Sequence, residues 1–73
     1  MTADEQAIVD FLRGGGPVFF SRREIARKAV HRKVFEENPH WVDAPLAALV
    51  AQAVVETNDT AQYRLSSAGS TAG

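Results

Sequence analysis

Apolar residues recur at helical spacing in three stretches of this chain, and two short alternating runs follow them. Ala7, Ile8, Phe11 and Leu12 make the first stripe, with Gln6, Asp10 and Arg13 on the opposite face. The pattern predicts a helix over residues 3–13, ended by Gly14 and the Gly-Gly-Pro that follows it. Thr2 and Glu5 have capping-box spacing at its start, and Asp4 and Glu5 complement the helix dipole there. Ile25, Ala26, Ala29 and Val30 form the second stripe, leaving Arg27, Lys28 and His31 on the other side. Ser21 and Glu24 repeat the capping-box spacing, with Phe20 and Ile25 placed as a hydrophobic staple. Just before that cap, Val18, Phe19 and Phe20 read as a brief strand.

The second stripe fails after Val30, because a straight continuation brings Lys33 to the apolar side and exposes Phe35. A break near His31 and Arg32 is expected, with Val34 and Phe35 on a separate short turn ending before Asn38 and Pro39. Arg32 and Glu36, and Lys33 and Glu37, have the spacing to support that turn as ion pairs. A third helix opens at Asp43 as N-cap, tolerates Pro45 in its first turn, and turns Leu46, Leu49, Val50 and Ala53 to one side. Residues 54–57 and 60–65 flank Asn58-Asp59 and predict a hairpin. A two-residue loop pairs Val54 with Tyr63; a three-residue loop pairs Val55 with Tyr63. The second register is favoured because it sets Glu56 opposite Gln62 on the wet face. Residues 66–73 are small and polar and read as a disordered tail. The expected organisation is one domain over residues 1–65, followed by that tail.

Composition narrows the chemistry. With 73 residues, one domain can form, close to the size at which a core barely suffices. No cysteine is present, which excludes disulfides and thiolate metal sites. No apolar run is long enough to span a bilayer and no secretory signal precedes the first helix, so a cytoplasmic protein without a membrane partner is expected. The net charge of −1 is nearly neutral, yet six of the eight basic residues lie between positions 22 and 33.

The order helix, strand, helix, helix, hairpin, with Glu24-Ile25-Ala26, with Leu46, Leu49 and Val50 leading into Val54-Val55-Glu56, and with Tyr63-Arg64-Leu65, resembles a winged helix-turn-helix domain over residues 3–65. The resemblance implies a mainly α fold with a small β-hairpin (α+β), three helices, and a third helix that enters the DNA major groove while the hairpin touches the backbone. Ala53 stands where that family commonly has glycine, so the turn into the hairpin is expected without positive φ. The segment from His31 to Val42 is also longer than the family's usual turn.

Two surfaces carry candidate chemistry. Arg22, Arg23, Arg27, Lys28, Arg32 and Lys33 can neutralise phosphates, with Gln52 and Arg64 as further nucleic-acid contacts. Arg22 and Arg23 lie in a first helical turn, where positive charge opposes the dipole, and that mild penalty fits a charge kept for a partner. The outer face of the third helix, Ala44, Pro45, Ala47, Ala48 and Ala51, offers no base-reading donor or acceptor before Gln52. The expected function is therefore a non-catalytic, DNA-associated module that binds duplex backbone through its second helix and reads sequence weakly. The alternative is a protein-contact or homodimer surface built from Ala44, Ala47, Ala48 and Ala51, with Trp41 as an anchor or as core beneath the connector. His31, His40 and Asp43 match no metal-site spacing, Gly14-Gly15-Gly16 lacks the Lys-Ser/Thr of a phosphate loop, and no nucleophile stands beside a base. Neither a cofactor, a metal, a small-molecule substrate nor an enzymatic activity is expected.

Overall fold

The computed structural model describes residues 1–66. Its elements are α1 (Ala3–Gly15), β1 (Phe20–Ser21), α2 (Arg22–Lys28), α3 (Arg32–Glu37), α4 (Asp43–Ala51), β2 (Val55–Thr57) and β3 (Gln62–Leu65). The fold is α+β, four helices against a three-stranded antiparallel sheet of order β1-β3-β2. The expected count of three helices is corrected to four: the turn holding Val34 and Phe35 is a helix in its own right.

α1 starts as its sequence dictates. Thr2 Oγ1 accepts from the Glu5 N–H at 3.1 Å, and the Glu5 carboxylate accepts from the Thr2 N–H at 2.7 Å. The helix runs two residues beyond Arg13, to Gly15, before Gly16 leaves it at φ 67°. Gly15 suits that extension, because a Cβ there would run into the Phe20 ring. Phe20 in turn packs on Phe11, with ring centroids 4.9 Å apart. α2 has only half of its expected capping box. Ser21 Oγ accepts from the Glu24 N–H at 3.1 Å, but the Glu24 carboxylate accepts from Lys28 Nζ at 2.9 Å.

Asp43 does not cap α4. The chain from Asn38 to Val42 is already wound, Val42 has helical φ and ψ, and no side chain among the described residues caps the helix start. Asp43 therefore sits in the first turn and accepts from Arg22 Nη1 at 3.0 Å. The other end of α4 also departs from expectation. Ala53 adopts φ 61°, and it does so to close a Schellman motif: the Val54 N–H reaches Leu49 O and the Ala53 N–H reaches Val50 O, each at 3.0 Å.

The hairpin pairs Val55 with Leu65, Glu56 with Arg64 and Thr57 with Tyr63, so neither expected register forms. The favoured one is off by two residues, which keeps every side chain on its intended face. Asn58 sets the turn: its Oδ1 accepts from the N–H groups of Thr60 and Gln62, each at 3.0 Å. Ala61 then leaves the turn at φ 59°. β1 adds Phe20 opposite Tyr63 and Ser21 opposite Gln62. Ser66 is not tail. It is buried, and its N–H donates to Val54 O at 2.9 Å. The rest of the expected tail, residues 67–73, lies outside the described residues.

Ile8, Leu12, Ile25, Val42, Leu46, Leu49 and Val55 make up most of one core between α1, α2, α4 and the sheet. α3 contributes no buried residue to it. Among the described residues, no helix is long and apolar enough to cross a membrane.

Candidate nucleic-acid interface

Trp41 determines how the second half of the α2–α4 connection sits. Its side chain is 8% exposed and its indole N–H donates to Ala26 O at 3.0 Å. Ala26 O is one of the carbonyls that the short α2 leaves without a helical partner, so the indole serves as a C-terminal cap from a distant part of the chain. This contact draws residues 38–42 over α2 and sets α3 beside it. Of the two roles considered for Trp41, the structure has the core one: the side chain is buried and hydrogen-bonded beneath the connector.

α3 begins where the apolar stripe of α2 fails. His31 Nδ1 accepts from the Lys33 N–H at 3.2 Å, and Arg32 Nε donates to Glu36 at 3.1 Å. Phe35 is half-buried against the core edge, and its ring walls two adjoining grooves. On one side are Arg22, Arg23, Pro39 and His40; on the other are Arg27, Lys28, Arg32 and Glu36.

Of the basic residues expected to bind phosphate, three already have anionic neighbours. Arg22 pairs with Asp43 at 3.0 Å, Lys28 with Glu24 at 2.9 Å and Arg32 with Glu36 at 3.1 Å. All three pairs are exposed, the side chains retaining between 39% and 86% of their accessibility, so each contributes well under about 1 kcal/mol and yields readily to a competing anion. Arg23, Arg27 and Lys33 are exposed and, among the described residues, form no ion pair. Arg23 and Arg27 stand one turn apart on α2, where like charges repel mildly. The fold tolerates that repulsion, and neither side chain has an ion-pair partner among the described residues.

Gln52 and Arg64 do not join this group. Gln52 is the C-cap of α4, and its side chain lies close enough to Glu5 to help hold that carboxylate ionised. Arg64 is fixed on the sheet: it pairs with Glu56, donates to Pro17 O at 3.2 Å and lies 4.4 Å from the centre of the Phe19 ring. On α4, Ala44, Ala47 and Ala51 are exposed as expected, while Ala48 and Pro45 are half-buried. Leu46, Val50 and Tyr63 line a shallow groove beside them.

Phe35 is the residue that sequence reasoning placed on a turn without assigning it a role. Its signal was the very failure of the helical stripe there, an aromatic out of phase with α2 and surrounded by charge. Among the described residues no group of three or more His, Cys, Asp or Glu side chains is placed to hold a metal ion. Compared with known proteins, the chain matches no family model, no curated protein and no solved structure.

Proposed function

We propose that this protein is a non-catalytic winged-helix module that associates with DNA through phosphate contacts from α2 and α3. The observation that carries the reading is the trio Arg23, Arg27 and Lys33, exposed and, among the described residues, without anionic partners beside Lys28 and Arg32. A folded protein of net charge −1 has acids enough to pair them, yet here they stand open. The winged-helix arrangement is supported by α1, β1, α2, α4 and the β2–β3 hairpin in that order, with α3 as an addition between the second and third helices of such a domain. Base reading is weak in this proposal. α4 presents alanines, and the hairpin tip carries Asp59 and no cation.

The test is fluorescence anisotropy with a random-sequence duplex at about 50 mM and about 200 mM salt. Binding in the micromolar range that weakens steeply with salt is expected, each engaged phosphate adding about 0.9 to the steepness of the log–log plot. The double variant Arg23→Glu/Arg27→Glu should bind at least about tenfold more weakly with unchanged circular dichroism. Equal binding by parent and variant would place the ligand elsewhere on the molecule.

The groove of Leu46, Val50 and Tyr63, bordered by exposed Ala47 and Ala51, favours a second reading, contact with another protein or a second copy through α4. Here Ala51→Glu is expected to abolish association in sedimentation while leaving DNA affinity unchanged. A parent that remains monomeric at high concentration, and that captures no partner, counts against it.

A further inference from the structure

Two of the open cations, Arg23 and Arg27, border hollows, not a ridge. Phe35 stands between two grooves, with Arg22 and Arg23 bordering one and Arg27, Lys28 and Arg32 bordering the other. We propose that this surface binds single-stranded nucleic acid in preference to duplex, with an unstacked base resting on Phe35 and the flanking phosphates on Arg23 on one side and Arg27 and Arg32 on the other. The proposal rests on the phosphate-binding reading above and adds which form of nucleic acid is held.

Shape is the first argument. A duplex is stiff over many tens of base pairs, so it bridges a concavity and meets only the rims. A single strand bends at every nucleotide and follows the grooves on both sides of the ring. Chemistry is the second. Cations that track a backbone, interleaved with an accessible aromatic ring, are what sequence-tolerant single-strand sites require, because every base has a face to stack. Phe35 meets that need through its uncovered part: it packs against the core edge, stays partly exposed, and borders both grooves. The third argument comes from the elements that would have to enter a duplex groove. The exposed face of α4 is Ala44, Ala47 and Ala51, and the hairpin tip offers Asp59, whose charge repels phosphate. The α4 face and the hairpin tip are poor duplex readers, and most of the cations lie elsewhere.

One feature of the site opposes binding. Glu36 lines the groove and holds Arg32 at 3.1 Å. A phosphate must replace it, so Glu36→Gln should tighten binding.

The experiment compares three labelled ligands on the full chain at about 50 mM salt: a short thymidine oligonucleotide, an abasic strand of the same length, and a duplex of the same length. The expected result is that the thymidine strand binds at least about fivefold more tightly than either of the others, the lower end of what one stacked base contributes. Phe35→Leu, which keeps an apolar group at the core edge, should bring the thymidine strand down to the level of the abasic one. A duplex that binds as tightly as the strand, or an abasic strand equal to the thymidine strand, overturns this inference and leaves the phosphate-binding reading intact. Absence of binding by all three ligands overturns both. Should Phe35→Leu fail to fold, the abasic comparison on the parent protein decides the matter by itself.

Discussion

Arg64 and Arg27 belong to two differently built sides of this domain. Arg64, on the sheet side, has its guanidinium occupied by Glu56, the Pro17 carbonyl and the Phe19 ring. Arg27, on the α2–α3 side, has no anionic partner among the described residues and lies in the open. The two have the same charge and the same reach, and only their surroundings separate them. Charge counting along the chain treats them alike, and would give Arg64 the same standing as a phosphate ligand. What singles out Arg27 as a candidate phosphate ligand is that the fold has left it unused. The apolar residues follow the same division. Leu49 on α4 is 0% exposed, whereas α3 has no fully buried residue and only Phe35 of it packs against the core edge.

The strongest way to break this comparison is to truncate one apolar residue on each side. Leu49→Ala should lower stability by about 2–5 kcal/mol in urea unfolding, since it leaves a cavity under the Schellman turn that Leu49 O helps to close. Phe35→Leu should cost less than about 1.5 kcal/mol. If the two costs were reversed, the α2–α3 side would be part of the core and its grooves merely packing defects.

The arginines provide a smaller and more specific contrast. Arg64→Ala is expected to cost about 1–2 kcal/mol, because it removes a partly buried ion pair and a ring contact together. Arg27→Ala should change stability by less than about 0.5 kcal/mol, as surface substitutions without partners do. DNA affinity should respond in the opposite sense, falling for Arg27→Ala and holding for Arg64→Ala. Equal effects of both variants on either quantity would erase the distinction.

The parts of the fold that were legible in the chain are those decided within a few residues. The Thr2–Glu5 capping box and the Ser21 cap are local, and each forms with the expected partner atoms on at least one side, while the hairpin turn falls at Asn58 as expected though in another register. What was not legible is decided at long range. Hairpin register depends on β1 pairing with β3 and on Ser66 reaching back to Val54, neither of which a turn dipeptide encodes. The opposite charges of Glu56 and Arg64 were the available clue, since they face each other only in the register that forms. Likewise α3 is too short to be stable alone and exists because Trp41 draws the connector onto α2. For the site, the basic cluster was visible at once, but which of its members remain open could be decided only after Asp43, Glu24 and Glu36 had taken theirs.

Ala53 sharpens the comparison from the backbone. The Schellman motif requires a left-handed residue, and Ala53 supplies it at φ 61° with an unfavourable Cβ. Ala53→Gly should therefore raise stability by about 0.5–1 kcal/mol, the strain relieved exceeding the added freedom of the unfolded chain. A drop in stability on substitution would mean that the Ala53 methyl makes contacts that outweigh its strain. Binding should not change, because Ala53 borders neither of the grooves beside Phe35.

The smallest effect concerns the two sides' response to solution conditions. Salt should act on the α2–α3 side through binding, whereas acid should act on the α1 end through stability. The Thr2 backbone N–H donates to the Glu5 carboxylate and holds its pKa below the ordinary value, with the Thr2 hydroxyl adding to it against the opposing effect of burial. A carboxyl with a lowered folded pKa takes up its proton at higher pH in the unfolded chain, so acid favours unfolding. Its contribution is complete above the unfolded value and disappears as pH falls through the folded one. Melting temperatures of the parent and of Glu5→Gln, at about pH 7 and about pH 3, measure that contribution directly. The parent should be the more stable at the higher pH, and the gap should narrow at the lower. A gap equally wide in acid would mean that the glutamine fails for steric reasons, and that the charge of Glu5 is not what holds the start of α1.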